Sequence, residues 1–294
     1  MTEITPAAPD AAPPAGTATA AVPALAPRID HVALRAPVFI SDLHLAAQRP
    51  VTLQRFLQFL ERLAAPVAEL VILGDLFEFW AGDDALEGTD ADDTAGDTVA
   101  QALSALAARG IAVFLMHGNR DILLGSAFLA RSRAQLLADP ALALLGSGGS
   151  DSAARSEPAR VLLAHGDAYC TLDLPYQAFR RQARDAAFQA GFLRQPLAQR
   201  RALIGQARAR SEAGKQQTAM EIMDVTPEAV AAALRAAGVH RLLHGHTHRP
   251  AHHEWELDGV AAHRWVLTDW DLEATPPRGG GLQWRGGEFF VVPA

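Results

Sequence analysis

The sequence predicts an α/β fold, on three observations. Short apolar runs alternate with longer amphipathic ones over most of the 294 residues, the pattern of strands joined by helices. Five of the apolar runs, at residues 37–41, 69–73, 111–116, 160–164 and 240–243, have the length and composition of strands. Each of the five runs directly into a cluster of carboxylate, imidazole or amide side chains beside a glycine or serine. In open α/β sheets the loops beyond the carboxyl ends of the strands line the ligand crevice.

Taken in order, residues 1–28 are Ala/Pro-rich and lack a basic segment followed by an apolar core, so they read as a disordered tail rather than a secretory signal. Residues 29–294 are expected to form the folded domain. Leu53, Phe56, Leu57, Leu60 and Leu63 recur at helical spacing and predict a helix over 52–64 between the first two strands. The acidic, glycine-bearing stretch 83–97 and the Gly/Ser-rich stretch 146–158 are expected to be loops of low order. A helical insertion is expected at about 173–222, and its span 176–217 carries nine basic residues against two acidic ones. That is +7 within a chain of −7, which leaves −14 for the remainder. Thr226 before Pro227 predicts a helix start and Gly238 its end. The Val/Trp/Phe-rich C-terminal stretch should add further strands.

Composition narrows the function classes. Hydrophobic residues make up 49% of the chain, enough for a substantial core. One cysteine, Cys170, forms no internal disulfide and is expected to be a buried bystander. No apolar run approaches the roughly 20 residues of a membrane span. The net charge of −7 and pI near 5.9 argue against a nucleic-acid partner, and no obligate protein partner is inferred.

The strand-end clusters are Ser41-Asp42-Leu43-His44, Gly74-Asp75, His117-Gly118-Asn119-Arg120-Asp121, His165-Gly166-Asp167 and His244-Gly245-His246-Thr247-His248. Carboxylate, imidazole and amide oxygen without thiolate suit Mn²⁺, Fe²⁺ or Zn²⁺. The ligands are too many for one ion, and a carboxylate with two oxygens is the natural bridge between two. Such a pair, roughly 3.5–4 Å apart, activates water for in-line attack on phosphorus. His117 and His244, which precede their glycines, are expected to support ligands, and Asp121 and Asp167 to orient loops. His31, His240, His252, His253 and His263 read as surface or packed histidines.

In this order the D-x-H, G-D, G-N, H-G and G-H-x-H blocks resemble the calcineurin-like metallophosphoesterases. Phe39-Ile-Ser-Asp-Leu-His-Leu45, Ile72-Leu-Gly-Asp-Leu-Phe-Glu78, His117-Gly-Asn-Arg-Asp121, Ile222-Met-Asp-Val225 and His244-Gly-His-Thr-His-Arg-Pro250 are similar to the blocks of the pyrophosphate-cleaving UDP-2,3-diacylglucosamine hydrolases of lipid A biosynthesis. The resemblance implies a four-layer α/β/β/α metallophosphoesterase sandwich with a helical cap. It implies two divalent ions, manganese first, one held by Asp42, His44, Asp75 and His248 and the other by Asp75, Asn119, His165 and His246. Asp75, Asn119 and His246 would be catalytic. Substrate contacts would fall to Asn119, Arg120, Asp173, Arg208, Ser211, Lys215, Thr218 and His246. The pattern departs in the insertion, where a small polar residue is expected in place of Lys215 and a lysine in place of Thr218. The implied substrate is UDP-diacylglucosamine, met at the cytoplasmic face of the inner membrane by peripheral contact with anionic lipid.

One position has a reading of its own. Many superfamily members carry after the asparagine a histidine that protonates an alkoxide leaving group, whereas this chain has Arg120. An arginine cannot give up its proton, but its fork pairs with phosphate oxygens. A phosphate leaving from an anhydride fits such a site better than an alkoxide does. A metal-dependent phosphodiesterase acting on soluble nucleotides and a non-catalytic metal-binding scaffold are the alternative readings.

Overall fold

The computed structural model describes residues 29–146, 157–215 and 224–294, with side chains left undescribed from 210 to 215. The tail 1–28, the stretch 147–156, Thr218 and the Ile222-Met223 pair therefore lie outside the described residues.

Two six-stranded sheets face each other. The first runs β1 (Asp30–Leu34), β6 (Ala141–Leu145), β7 (Ala159–Ala164), β8 (Arg241–His244), β10 (Val260–Val266), β9 (Ala251–Leu257). The second runs β12 (Glu288–Pro293), β11 (Gly280–Arg285), β2 (Pro37–Ile40), β3 (Glu69–Leu73), β4 (Ala112–Met116), β5 (Ala134–Leu137). The five expected strands are β2, β3, β4, β7 and β8, and the expected C-terminal set is β9 to β12. Within the second sheet β2, β3, β4 and β5 pair in parallel, and in the first β7 pairs β8 in parallel. Both groups thus send their carboxyl ends to one end of the sandwich.

Three apolar clusters make the four layers. Phe39, Val71, Leu73, Met116, Leu163 and Leu243 meet between the sheets. Ile40, Ile72 and Leu115 on the other face of the second sheet pack with Phe56, Val99 and Phe128 of α1 (Pro50–Arg62), α2 (Ala91–Ala108) and α3 (Ser126–Ser132). Leu162 and Leu242 on the outer face of the first sheet pack with Val230 and Leu234 of α7 (Pro227–Ala237). Strands buried on both faces read as continuous apolar runs, which is why β3, Glu-Leu-Val-Ile-Leu and buried throughout, is legible in sequence.

One expectation is corrected. The stretch 83–97 is ordered: a 3₁₀ turn, Asp83–Glu87, leads into α2. Its acidity is the cause, because Asp90 and Asp93 form a reciprocal capping box and Asp92 joins Asp93 in the first turn, where negative charge complements the helix dipole. Asp83 accepts hydrogen bonds from the amides of Gly125, Ala127 and Phe128 at the start of α3. The expected bounds of α7 hold, with Thr226 at its N-cap and Gly238 at its C-cap, although the Thr226 hydroxyl pairs with Thr171 Oγ1 at 2.7 Å instead of a helix amide.

The insertion forms α4 (Leu174–Ala183), α5 (Ala186–Leu193) and α6 (Leu197–Lys215). Most of its described arginines are paired with acids of the body. Arg180 and Arg184 reach Asp139 and Asp167, Arg200 reaches Asp84 and the Ala81 carbonyl, and Arg201 reaches Asp90 and Asp93. The opposed charges read in the sequence thus clamp the cap down. Arg200 is 2% exposed, so Arg200→Ala would strand a buried carbonyl at a cost of about 1–3 kcal/mol. Asp84, more than half exposed, adds little. Hydrogen exchange should speed up in α5 and α6 while β3 stays protected.

Candidate dinuclear metal centre

Each of the expected ligands leaves a strand end and turns at once. Asp42, His44, Asp75, His246 and His248 all adopt left-handed backbone, with φ between 49° and 68°, conformations that non-glycine residues hold only where the surroundings enforce them. The enforcement is visible. Asp42 N–H donates to the Gly74 carbonyl, Leu43 and His44 N–H both donate to that of Asp75, and Gly245 N–H donates to that of His165. The loops of each sheet are thereby laced together, and the His246 N–H donates across to the Asp42 carboxylate at 2.9 and 3.0 Å. A Cβ at Gly118 would collide with the backbone and carboxylate of Asp75, and one at Gly245 with the carboxylate of Asp42, so these two positions admit only glycine.

Asp75 is central. Its Oδ2 lies 3.8 Å from His44 Nε2 on one side and 3.7 Å from His165 Nε2 on the other, while Oδ1 accepts the Arg120 amide at 2.8 Å. On the first side His44 Nε2 lies 3.2 Å from His248 Nε2, which is 3.5 Å from Asp42 Oδ1. On the second, Asn119 Oδ1 lies 3.1 Å from His165 Nε2 and 3.0 Å from His246 Nδ1. The seven side chains thus gather on the two sides of Asp75 Oδ2, and Asp42, beside His44 and His248, also lies within 4.8 Å of the ligand atoms of Asp75 and His165.

The donor chemistry fits a pair of cations. His165 Nδ1 donates to the Leu73 carbonyl at 2.9 Å, which turns the Nε2 lone pair toward the Asn119 oxygen. A charged ring donates Nε2–H to that oxygen 3.1 Å away, and a neutral ring leaves two lone-pair donors at the spacing of ligands about 2.0–2.2 Å from one ion, which stand about 3 Å from each other. Electrostatics agree. Burial works against charge on His165, but Asp75, Asp42, Asp167 and Asp139 outweigh it and lift its pKa to about 9. Burial and the neighbouring His165 push His246 down to about 3. Asp42 is held below the carboxylate range by its histidine neighbours despite burial. His165 therefore carries a proton at pH 7.5 without metal, and a ligand must be neutral. Metal loading at pH 7.5 should release protons, with the release shrinking as pH passes about 9; an indicator dye measures it.

Of the groups expected to support the site, Asp121 and Asp167 hold loops and the cap by hydrogen bonds, whereas His117 and His244 contact the Leu124 and Gly245 carbonyls rather than a ligand. Asp121 accepts from the amides of Leu76 and Gly118 at 2.7 and 2.9 Å, His117 Nε2 meets the Leu124 carbonyl at 2.7 Å, and Asp167 gathers Tyr176 and Arg180 at 2.6 and 2.9 Å. Burial holds His244 neutral, at about 4. Cys170 is buried, with its thiol pushed up to about 12.

Sequence reasoning assigned no role to Glu78. Its Oε2 lies 3.0 Å from His44 Nδ1, an electrostatic contact without hydrogen-bond alignment. Its Oε1 lies 3.5 Å from Arg120 and also binds Arg208 of the cap. Burial opposes its ionisation, but His44, Arg120 and Arg208 lower its pKa to about 2. The available signal was its place three residues after Asp75. Tyr176, stacked on His246 at 5.9 Å, gave none. Of the expected substrate contacts, Asn119, Arg120, His246 and Arg208 converge here. Asp173 caps α4 by accepting the Tyr176 amide at 3.0 Å. Ser211 and Lys215 belong to α6 by backbone only, and Thr218 lies outside the described residues.

Two facing sheets with a shared-carboxylate cluster at their common end define a metallophosphoesterase. Residues 37–250 match the calcineurin-like phosphoesterase family, and the chain belongs to it. Within that family the chain is 49% identical over 237 residues to the UDP-2,3-diacylglucosamine hydrolase of Aromatoleum aromaticum, covering 81% of this chain and 90% of that protein. It is 46% identical over 233 residues to that of Cellvibrio japonicus, with 79% and 90% covered. For that of Bordetella pertussis the identity is 43% over 258 residues, with 86% and 93% covered.

Proposed function

We propose that this chain cleaves the pyrophosphate of UDP-2,3-diacylglucosamine in lipid A biosynthesis, with water adding to the α-phosphorus to give UMP and 2,3-diacylglucosamine 1-phosphate. The observation that carries the reading is the position of Asp75 Oδ2 between His44 and His165, 3.8 and 3.7 Å away, directly before the Asn119-Arg120 pair. The names of the relatives supply the substrate. Two divalent ions, manganese first for a set rich in oxygen and imidazole, would be held by the seven ligands and would supply water activation and neutralisation of phosphoryl charge.

The chain's own groups orient the substrate. Arg120 replaces a proton donor with a fixed cation, which suits a phosphate leaving group. Arg208 contributes a buried Nε with no hydrogen-bond partner, a donor suited to a phosphate oxygen. Glu78 holds both arginines and faces His44. Asp173 uses Oδ1 to cap α4, and its second oxygen suits a hydroxyl of the sugar or nucleoside.

The cap presents Leu174, Phe179, Phe188, Leu193 and Leu203 to solvent, with Leu172 exposed just before it, apolar surface suited to acyl chains at a bilayer interface. No helix among the described residues is long and apolar enough to cross a membrane. Peripheral contact at the cytoplasmic face of the inner membrane would rest on these side chains, because Arg200 and Arg201 are engaged with the body.

Assay of UDP-2,3-diacylglucosamine with chelator, then with manganese restored, tests the reading. Turnover should vanish and return. In oxygen-18 water the label should appear in UMP, whereas label in the lipid product would overturn attack at the α-phosphorus. Preferred turnover of bis-p-nitrophenyl phosphate or cyclic AMP would favour the phosphodiesterase reading.

A further inference from the structure

The hairpin of β9 and β10 carries a second cluster that shares no residue with the dinuclear centre. The register sets His263 opposite Glu254 and Trp265 opposite His252. Alternate residues of a strand share a face, so the four side chains form one square patch at the edge of the first sheet. His263 Nδ1 lies 3.2 Å from His252 Nε2 and 3.2 Å from Glu254 Oε1, and the three donor atoms all lie within 4.8 Å of one another.

The two 3.2 Å separations also match the edges of a metal site. Donors about 2.0–2.1 Å from a tetrahedral zinc stand about 3.3 Å apart along each edge. A neutral His263 has at most one proton on Nδ1 and cannot satisfy both neighbours. The rings are also held in place. His252 stacks on Trp265 at 4.5 Å with 4° between planes, His263 lies 5.4 Å from the same indole, and Phe289 of β12 backs Trp265 at 4.8 Å. Burial, His252 and Arg241 lower the pKa of His263 against the pull of Glu254, which favours the neutral form that metals bind.

We propose that His252, Glu254 and His263 form a second metal site for a divalent transition ion, zinc above all, with a coordination position open to water. Two histidines and a carboxylate leave the fourth tetrahedral position free, and the exposure of His252 and Glu254 gives the ion a path in.

Metal analysis of the full chain equilibrated with low-micromolar zinc tests the site. The wild type should hold one equivalent more than His252→Ala/His263→Ala, while that variant keeps its turnover and thermal midpoint, which show that it is folded. Asp75→Ala should keep the additional equivalent, because the hairpin is independent of the dinuclear centre. Trp265→Phe should also keep it but lose the change in indole fluorescence that accompanies zinc loading of the wild type. Equal zinc in the wild type and the double-histidine variant would overturn the proposal and leave the three groups a hydrogen-bonded surface cluster.

Discussion

Asp75→Asn should lower turnover of UDP-2,3-diacylglucosamine by at least about a thousandfold and leave the fold intact. The amide keeps an oxygen for the Arg120 N–H, so the loop after β3 retains its anchor. It loses the charge that stands between His44 and His165. Stabilisation of developing charge by a metal pair amounts to several kcal/mol, and about 4 kcal/mol corresponds to a thousandfold in rate. Initial rates and metal content should fall together, with an unchanged near-ultraviolet circular dichroism spectrum.

Glu78→Gln should lower activity at limiting metal by up to about 10- to 100-fold, the range for losing a carboxylate partner of a metal-ligating histidine, here through the charge that Glu78 places beside His44. Glu78 stands 3.0 Å from the ring nitrogen of His44 that faces away from the metal side and also holds Arg120 and Arg208. Glutamine keeps the length and removes the charge from all three contacts. The metal concentration for half-maximal rate should therefore rise, and excess metal should recover only the part due to His44. A titration that merely shifted without a residual deficit would deny the arginine contribution.

The legibility of this chain divides along physical lines. Each proposed metal ligand lies just beyond a largely buried strand, so a continuous apolar run announces it. The left-handed turns at Asp75 and His246 left a trace in Gly74 and Gly245, whereas those at Asp42, His44 and His248 adjoin no glycine. Strand β6, Ala-Leu-Ala-Leu-Leu, carries no β-branched residue and was not legible as a strand, because pairing with β1 and β7 overrides its local preference. The ordered start of α2 was hidden in an acidic stretch that composition reads as loop, whereas Asp90 and Asp93 make it a cap. The role of the cap arginines was out of reach for a different reason. Arg201 and Asp90 are 111 positions apart, and no local pattern reports a partner at that distance. The charge imbalance between insertion and body was visible, but its use as a clamp required the fold.

The central claim is that two cations share the Asp75 carboxylate. Electron paramagnetic resonance of the chain loaded with two equivalents of manganese tests it most directly, because ions roughly 3.5–4 Å apart couple magnetically. The account predicts a spin-coupled multiline spectrum that collapses in Asp75→Ala. The six-line spectrum of isolated manganese from the wild type at full occupancy would contradict it.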